Sequence, residues 1–159
     1  MSLLDKDSVK RAQKAIKDFD KSLGITILDN SARTAKDAAS SLNCDVGAIV
    51  KSLLFRTEDS FVLSLVAGDK RCSLNKLRKI TNKKNISMAS PKDVKTQTGY
   101  TIGGVSPIGH LKKVEIIIDN SLERFNELFA AAGHPNCVFK IDFNNIQKIT
   151  NGKVEDIIE

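Results

Sequence analysis

Ala48-Ile49-Val50-Lys51-Ser52-Leu53-Leu54-Phe55 is an apolar run bounded by Gly47 and by the turn-forming Thr57-Glu58-Asp59-Ser60. It reads as a β-strand, and with Phe61-Val62-Leu63-Ser64-Leu65-Val66-Ala67 it predicts a hairpin across residues 57–60, closed by Gly68-Asp69. Strand alternation places Ala48, Val50, Ser52 and Leu54 on one face and Ile49, Lys51, Leu53 and Phe55 on the other. Lys51 therefore shares a face with three large apolar side chains, where an ammonium is costly unless it is paired or reaches water. Two readings fit. One is an edge-strand or snorkelling lysine that discourages aggregation. The other is a positioned cation or amine in a pocket.

Around this hairpin the pattern alternates between helix and strand. Val9, Ala12, Ile16, Phe19 and Leu23 recur at helical spacing and predict an amphipathic helix over 7–23, with Gly24 as its stop. A strand at Ile25–Leu28, a turn at Asp29-Asn30-Ser31 and a helix capped by Thr34 follow, with Asp37 in capping-box position. Downstream, the sequence predicts a short basic helix from Ser73 to Ile80, a strand at 86–89 and a helix over 91–98. Pro91 stands in the first turn of that last helix and Gly99 closes it. Val114–Ile118 reads as a strand, Ser121 as the cap of a helix carrying Leu122, Phe125, Leu128 and Phe129, and Asp119 as a helix-start residue. Cys137–Ile141 reads as a strand, followed by a helix over 143–150. There is a hairpin but no clean βαβ repeat, which predicts an α+β fold with a mixed sheet in a single domain spanning 1–159.

Composition narrows the function classes. The 159 residues are 41% hydrophobic and 28% charged, with one Tyr and no Trp, so aromatic stacking on bases is not a major theme. Three cysteines without C-x-x-C spacing, and an N-terminus charged too early for a signal sequence, predict free thiols in a reducing cytoplasm. No run approaches the roughly 20 apolar residues of a membrane span. The net charge of +6 is unevenly placed: Lys70 to Lys113 holds eleven of the 25 basic residues and one of the 19 acids, Asp93. A basic middle on an otherwise mildly acidic chain is the footprint of phosphate contact.

Gly103-Gly104-Val105-Ser106-Pro107-Ile108-Gly109-His110 is a loop by composition. Its glycines let a ligand approach the main chain, and such a loop can present N–H groups to a phosphate, a ribose hydroxyl or an oxyanion. It matches neither a P-loop nor a dinucleotide fingerprint, and Ser106 lacks the flanks of a nucleophile elbow. His134 and Cys137 stand three apart, but no paired spacing completes a metal site. No metal or cofactor is therefore expected.

In combination these segments resemble the YbaK/EbsC family, aminoacyl-tRNA deacylases related to the editing domain inserted in bacterial prolyl-tRNA synthetases. The resemblance runs in register through Arg33–Ala39, Gly47–Phe55, Thr98–Gly109, Ile118–Leu122 and Ala131–Pro135, and is strongest to the small free-standing ProX-like members. It implies a mixed, partly closed, barrel-like sheet flanked by helices. Lys51 matches the family's pocket lysine, and Gly103 to Pro107 its G-x-x-x-P loop, which holds the terminal adenosine and the scissile ester. Ala131 to His134 falls where the aminoacyl pocket is lined. The implied site is Lys51, Gly103 and Gly104 for catalysis, with Thr34, Ser106, Pro107, Ala132, Gly133 and His134 binding substrate. The implied activity is hydrolysis of a small amino acid (Ala, Cys or Ser) from mischarged tRNA-Pro. Lys51 would act as cation or as base, and Gly103–Gly104 N–H groups would meet the oxyanion. The implied partners are the acceptor end of tRNA and prolyl-tRNA synthetase. Two rivals stand beside this reading: a non-catalytic aminoacyl-, nucleotide- or synthetase-binding module, and a thiol hydrolase using Cys137 or Cys72.

Overall fold

The computed structural model describes residues 2–29 and 34–159. The turn expected at residues 30 and 31, and Arg33, lie outside them. Among the described residues, five α-helices and eight strands follow in the order α1 Asp7–Phe19, β1 Ile25–Ile27, α2 Ala35–Leu42, β2 Ile49–Arg56, β3 Phe61–Ala67, α3 Leu74–Thr81, β4 Ser87–Met88, α4 Pro91–Thr98, β5 Glu115–Asp119, β6 Leu128–His134, β7 Cys137–Ile141, α5 Phe143–Thr150 and β8 Lys153–Glu155. The strands form one mixed sheet ordered β1-β7-β6-β2-β3-β5-β8, with β4 also paired to β2. No ladder among the described residues joins β1 to β8, so this pairing does not close the expected barrel-like sheet.

The hairpin forms as predicted, with Val50 opposite Ala67 and Arg56 opposite Phe61. The turn is held by Thr57 N–H to Ser60 O at 2.9 Å and Ser60 N–H to Thr57 Oγ1 at 3.0 Å. The alternation of β2 is also realised. Val50 and Leu54 enter the main core with Val9, Ala12 and Ile16 of α1, Val94 of α4 and Ile146 of α5. Phe55 and Leu53 pack on the opposite face with Leu77 of α3, and Ile49 packs there with Ala38 and Ala39 of α2. Fully burying a Val, Leu, Ile or Phe side chain contributes roughly 1.5–3 kcal/mol.

Two elements differ from the sequence reading. α1 ends at Phe19 rather than residue 23, because the Asp20 carboxylate accepts from the N–H and Oγ of Ser22 and turns the chain out of the helix. The helix expected from Ser121 through Phe129 is a short 3₁₀ turn, Asn120–Arg124, followed by β6. Asp119, not Ser121, caps that turn, and its buried carboxylate also accepts from Ile157 N–H at 2.8 Å. From Leu128 on the burial alternates with period two, and Leu128, Ala130 and Ala132 are the core residues. Pairing with β2 and β7 overrides the helical propensity of the alanines.

Two features of this frame position the cleft described below. β6 carries a bulge between Ala131 and His134, where Gly133 takes φ +91°. A Cβ there would stand 2.6 Å from Ser8 O, so α1 seats directly on the bulge, and Ser8 Oγ donates to Gly133 O at 2.9 Å. The loop after α4 is pinned from below by the fully buried Tyr100, whose hydroxyl donates to Ile108 O at 2.8 Å. Arg11 stacks 4.6 Å from the Tyr100 ring centre and donates to Gly109 O at 2.8 Å, and His110 Nε2 bonds Ser106 O at 2.7 Å.

Gly133→Ala adds both a clash with α1 and a strained φ, so it is expected to lower unfolding free energy by at least about 2 kcal/mol in urea denaturation. Burial pushes His110 below its ordinary value of 6.5. The fold therefore prefers the neutral ring: this contribution is complete above about pH 6.5 and is lost as pH falls from there through the folded-state value. His134 shifts in the same direction, through burial and the Lys6 charge. Unfolding midpoints of His110→Gln are expected to fall less than those of the parent between pH 7 and 5. Equal slopes would assign the loss to His134 or elsewhere.

Candidate active site

The edge of β2 that faces away from β3 serves two partners. β6 pairs with Ile49 and Val50 in parallel, and β4 pairs with Phe55 and Arg56 antiparallel. Between these ladders β2 has no strand beside it among the described residues. Leu54 O accepts from Ala89 N–H at 3.0 Å on this edge, so by strand alternation the N–H and C=O of Ser52 point into the gap. A cleft of about 310 Å³ opens there. Its walls come from both faces of β2, from the start of α2 (Ala35, Ala38), from Phe129 and Ala131 of β6, and from Ile102, Gly103 and Val105 of the loop.

Lys51 lines this cleft and is half-buried, and its Nζ donates to Lys70 O at 2.5 Å. Burial pulls its pKa below the usual 10.5; Cys72 and then Asp69 act the other way, and the Arg71 charge adds to the lowering. Gly103 also lines the cleft, at φ +90°, and a Cβ added to it would approach only the Pro135 ring, at 3.4 Å. Its N–H has no main-chain partner among the described residues. Lys51 and Gly103, 52 positions apart in sequence, thus meet in one cleft. Thr34 is at its rim, but its Oγ1 is occupied as the α2 cap, accepting from Asp37 N–H at 3.1 Å.

The remaining expected site residues stand behind or beside the cleft. Gly104 N–H already donates to Thr101 O at 2.9 Å, and Gly104 O accepts from Gly133 N–H at 3.1 Å. A Cβ on Gly104 would meet His134 Cα at 2.9 Å, so this glycine lets the loop lie against β6, and its N–H is not free for an oxyanion. Ser106 is fully buried and its Oγ accepts from Ile108 N–H, a turn within the loop. Pro107 is buried and faces a second groove. Ala132 is a core residue, Gly133 is the bulge, and His134 Nδ1 accepts from Asn136 N–H at 3.0 Å across the β6–β7 turn. Of the segment 131–134, Ala131 is the cleft residue.

Ser52 is the residue that strand alternation conceals. It sits on the face opposite Lys51, yet it lines the cleft because the gap opens both faces. Its Oγ is buried without a hydrogen-bond partner among the described residues. The thiols are poorly placed as nucleophiles. Burial pushes Cys72 up to about 11 and raises Cys137, which is fully buried, and neither lines the cleft. Both are held as thiols at neutral pH.

The cleft thus has mostly apolar walls, with Lys51 as the one charged residue of its lining among the described residues. The profile of the aminoacyl-tRNA editing domain matches residues 29–149. The protein YwhH of Bacillus subtilis is 32% identical over 148 residues, covering 92% of this chain and 94% of YwhH. A candidate Cys-tRNA(Pro)/Cys-tRNA(Cys) deacylase of Enterococcus faecalis, EbsC, is 28% identical over 125 residues, 78% of this chain and 76% of that one. The solved structure of a candidate trans-editing enzyme for prolyl tRNA synthetase superposes with a TM-score of 0.92 at 34% identity, covering 97% of this chain and 98% of the other. With the profile matched across most of its length, the chain belongs to the aminoacyl-tRNA editing domain family.

Proposed function

We propose that this protein is a trans-editing deacylase, which hydrolyses the ester between a small amino acid and the terminal ribose of a mischarged tRNA. The observation that carries the reading is that Lys51 and Gly103 line one small apolar cleft in a chain of the editing family. An aminoacyl ester is already activated, so the site needs mainly to hold the ester, place a water and stabilise the oxyanion. In this reading Lys51 works as an ammonium. One of its three N–H bonds is used on Lys70 O, leaving two for a substrate oxygen. The Gly103 N–H supports the oxyanion. Ala35, Ala38 and Ala131 keep the pocket small. Size exclusion matters here because one methylene discriminates by only about 1–3 kcal/mol in binding, and a second hydrolytic sieve supplies the rest.

Cysteine on tRNA-Pro is the first substrate to test, by analogy with EbsC, followed by alanine and serine on the same tRNA; prolyl-tRNA synthetase is the proposed partner. Phosphates of the acceptor end find cations beside the loop. Lys112 and Lys113 line the second groove, of about 650 Å³, which begins at Pro107. Lys153 lines it too, with Glu155 3.5 Å from its amine. By contrast Lys76 and Lys83 of the basic segment are closely paired with Asp156 and Asp59.

A panel of mischarged tRNAs is expected to yield release of at least one small amino acid, abolished in Lys51→Ala and unchanged after alkylation of the thiols. Binding without release from any member would instead make the chain a binding module, and full activity in Lys51→Ala would remove the lysine mechanism. The double variant Lys112→Ala/Lys113→Ala is expected to raise KM for tRNA. It should also flatten the dependence of log(kcat/KM) on log salt by about 0.7–0.9 per lysine.

A further inference from the structure

We propose that Asp69 and Arg124 are positioning residues for the Lys51 amine, acting through the main-chain carbonyl of Lys70 and through the Asp69 charge. The inference rests on Lys51 being the working group of the proposed deacylase.

The Lys51 amine has one hydrogen-bond partner among the described residues, Lys70 O, so whatever fixes that carbonyl fixes the amine. The carbonyl belongs to the turn that leaves β3. Gly68 N–H donates to Ile49 O at 2.8 Å and Lys70 N–H to Ala67 O at 3.0 Å. A Cβ at Gly68 would lie 2.3 Å from Val46 O, so the turn is seated on the segment that enters β2. Asp69 stands between these two residues. Arg124 grips its carboxylate with both terminal nitrogens, at 2.8 and 3.0 Å. Arg124 is itself held by Ser121 O at 2.7 Å and by the Phe125 ring, 4.9 Å from its Cζ. The edge of that ring packs where a Cβ of Gly47 would be. A rigid bidentate clamp thus runs from the 3₁₀ turn after β5, across the β3 turn, to the lysine.

The clamp has an electrostatic side as well as a geometric one. The charged and titratable groups facing the Lys51 amine are Asp69, Arg71 and Cys72, all on the segment after β3. Cys72 in turn faces Asp119 and Glu159. Asp69 is the acid that supports the ammonium against burial, and Arg124 draws on the same carboxylate. Removing one partner or the other therefore acts on Lys51 with opposite signs. Asp69→Asn takes away the supporting charge and lowers the lysine pKa. Arg124→Gln leaves the Asp69 charge uncompensated and raises it. A purely structural pair would give shifts of the same sign or none.

The test is a carbon-13 NMR titration of the Lys51 side chain in the full chain, assigned by Lys51→Arg, with kcat and KM measured in parallel. The expected result is a lower Lys51 pKa in Asp69→Asn, a higher one in Arg124→Gln, and near-parental titration in Asp69→Glu. In Asp69→Asn, kcat should drop about tenfold with KM nearly unchanged. The pair is half-exposed, with side-chain exposures of 36% and 38%, so the variants are expected to fold. Should Asp69→Asn fail to fold, Arg124→Gln alone still decides through the sign of its shift. Unchanged titration, or shifts of one sign in both variants, would overturn the inference even where Lys51→Ala is inactive. Activity retained in Lys51→Ala would overturn the deacylase mechanism instead, and the titration would still decide whether the pair governs the amine.

Discussion

The divergence of β6 and β4 along one edge of β2 is the constraint on which the cleft depends. A buried strand edge ordinarily needs a neighbour for every N–H and C=O. Here β6 supplies one at Val50 and the β4 segment supplies one at Leu54, while Ser52 between them faces open space. The bulge in β6 coincides with the departure: the β2–β6 ladder ends at Ala130, and the register shift begins after Ala131. Bulges bend the strand that carries them. Gly133 permits the bend, and α1 seated on that glycine keeps it. A helix at the opposite end of the chain from β6 thereby helps to hold the cleft open.

Local signals in the sequence suffice where local chemistry decides the structure. The hairpin, the Thr34 cap and the Gly99 stop all form as the residues predict. The same signals mislead at β6. Leu122, Phe125 and Leu128 mimic a helical stripe, and the alanines after them favour helix, but the strand is imposed by partners about 80 residues back and a few residues ahead. The site divides in the same way. Lys51 and Gly103 are legible because a lysine on an apolar strand face and a Gly-Gly turn are both conspicuous. Ser52 is not, because alternation assigns it to the other face and only the gap unites the two. Gly104, Ser106 and Gly133 lie in the stretches that sequence groups with the site, although their hydrogen bonds and close contacts tie the loop and the bulge together instead.

Charge behaves similarly. The basic excess of residues 70–113 is real as a count, yet part of it is neutralised by acids distant in sequence, Asp59 and Asp156. Lys153, outside the segment, joins Lys112 and Lys113 at the second groove. The loop from Gly103 to Pro107 has its first residue at the apolar cleft and its last at this basic groove. One pinned loop thus joins the apolar cleft to the basic groove.

The choice of lysine over arginine at residue 51 follows from the same geometry. An arginine carries a planar fork suited to two parallel acceptors, and its charge is fixed. The single acceptor here, Lys70 O, faces an ammonium that can still direct two N–H bonds elsewhere. Half-burial makes each of those bonds stronger than it would be in water, and also makes the charge harder to keep. Asp69 supports the charge, while its carboxylate is hydrogen-bonded to both terminal nitrogens of Arg124. An amine paired outright with a carboxylate would be stable and idle. One restrained by a carbonyl and supported from a distance keeps two of its three donors unused among the described residues.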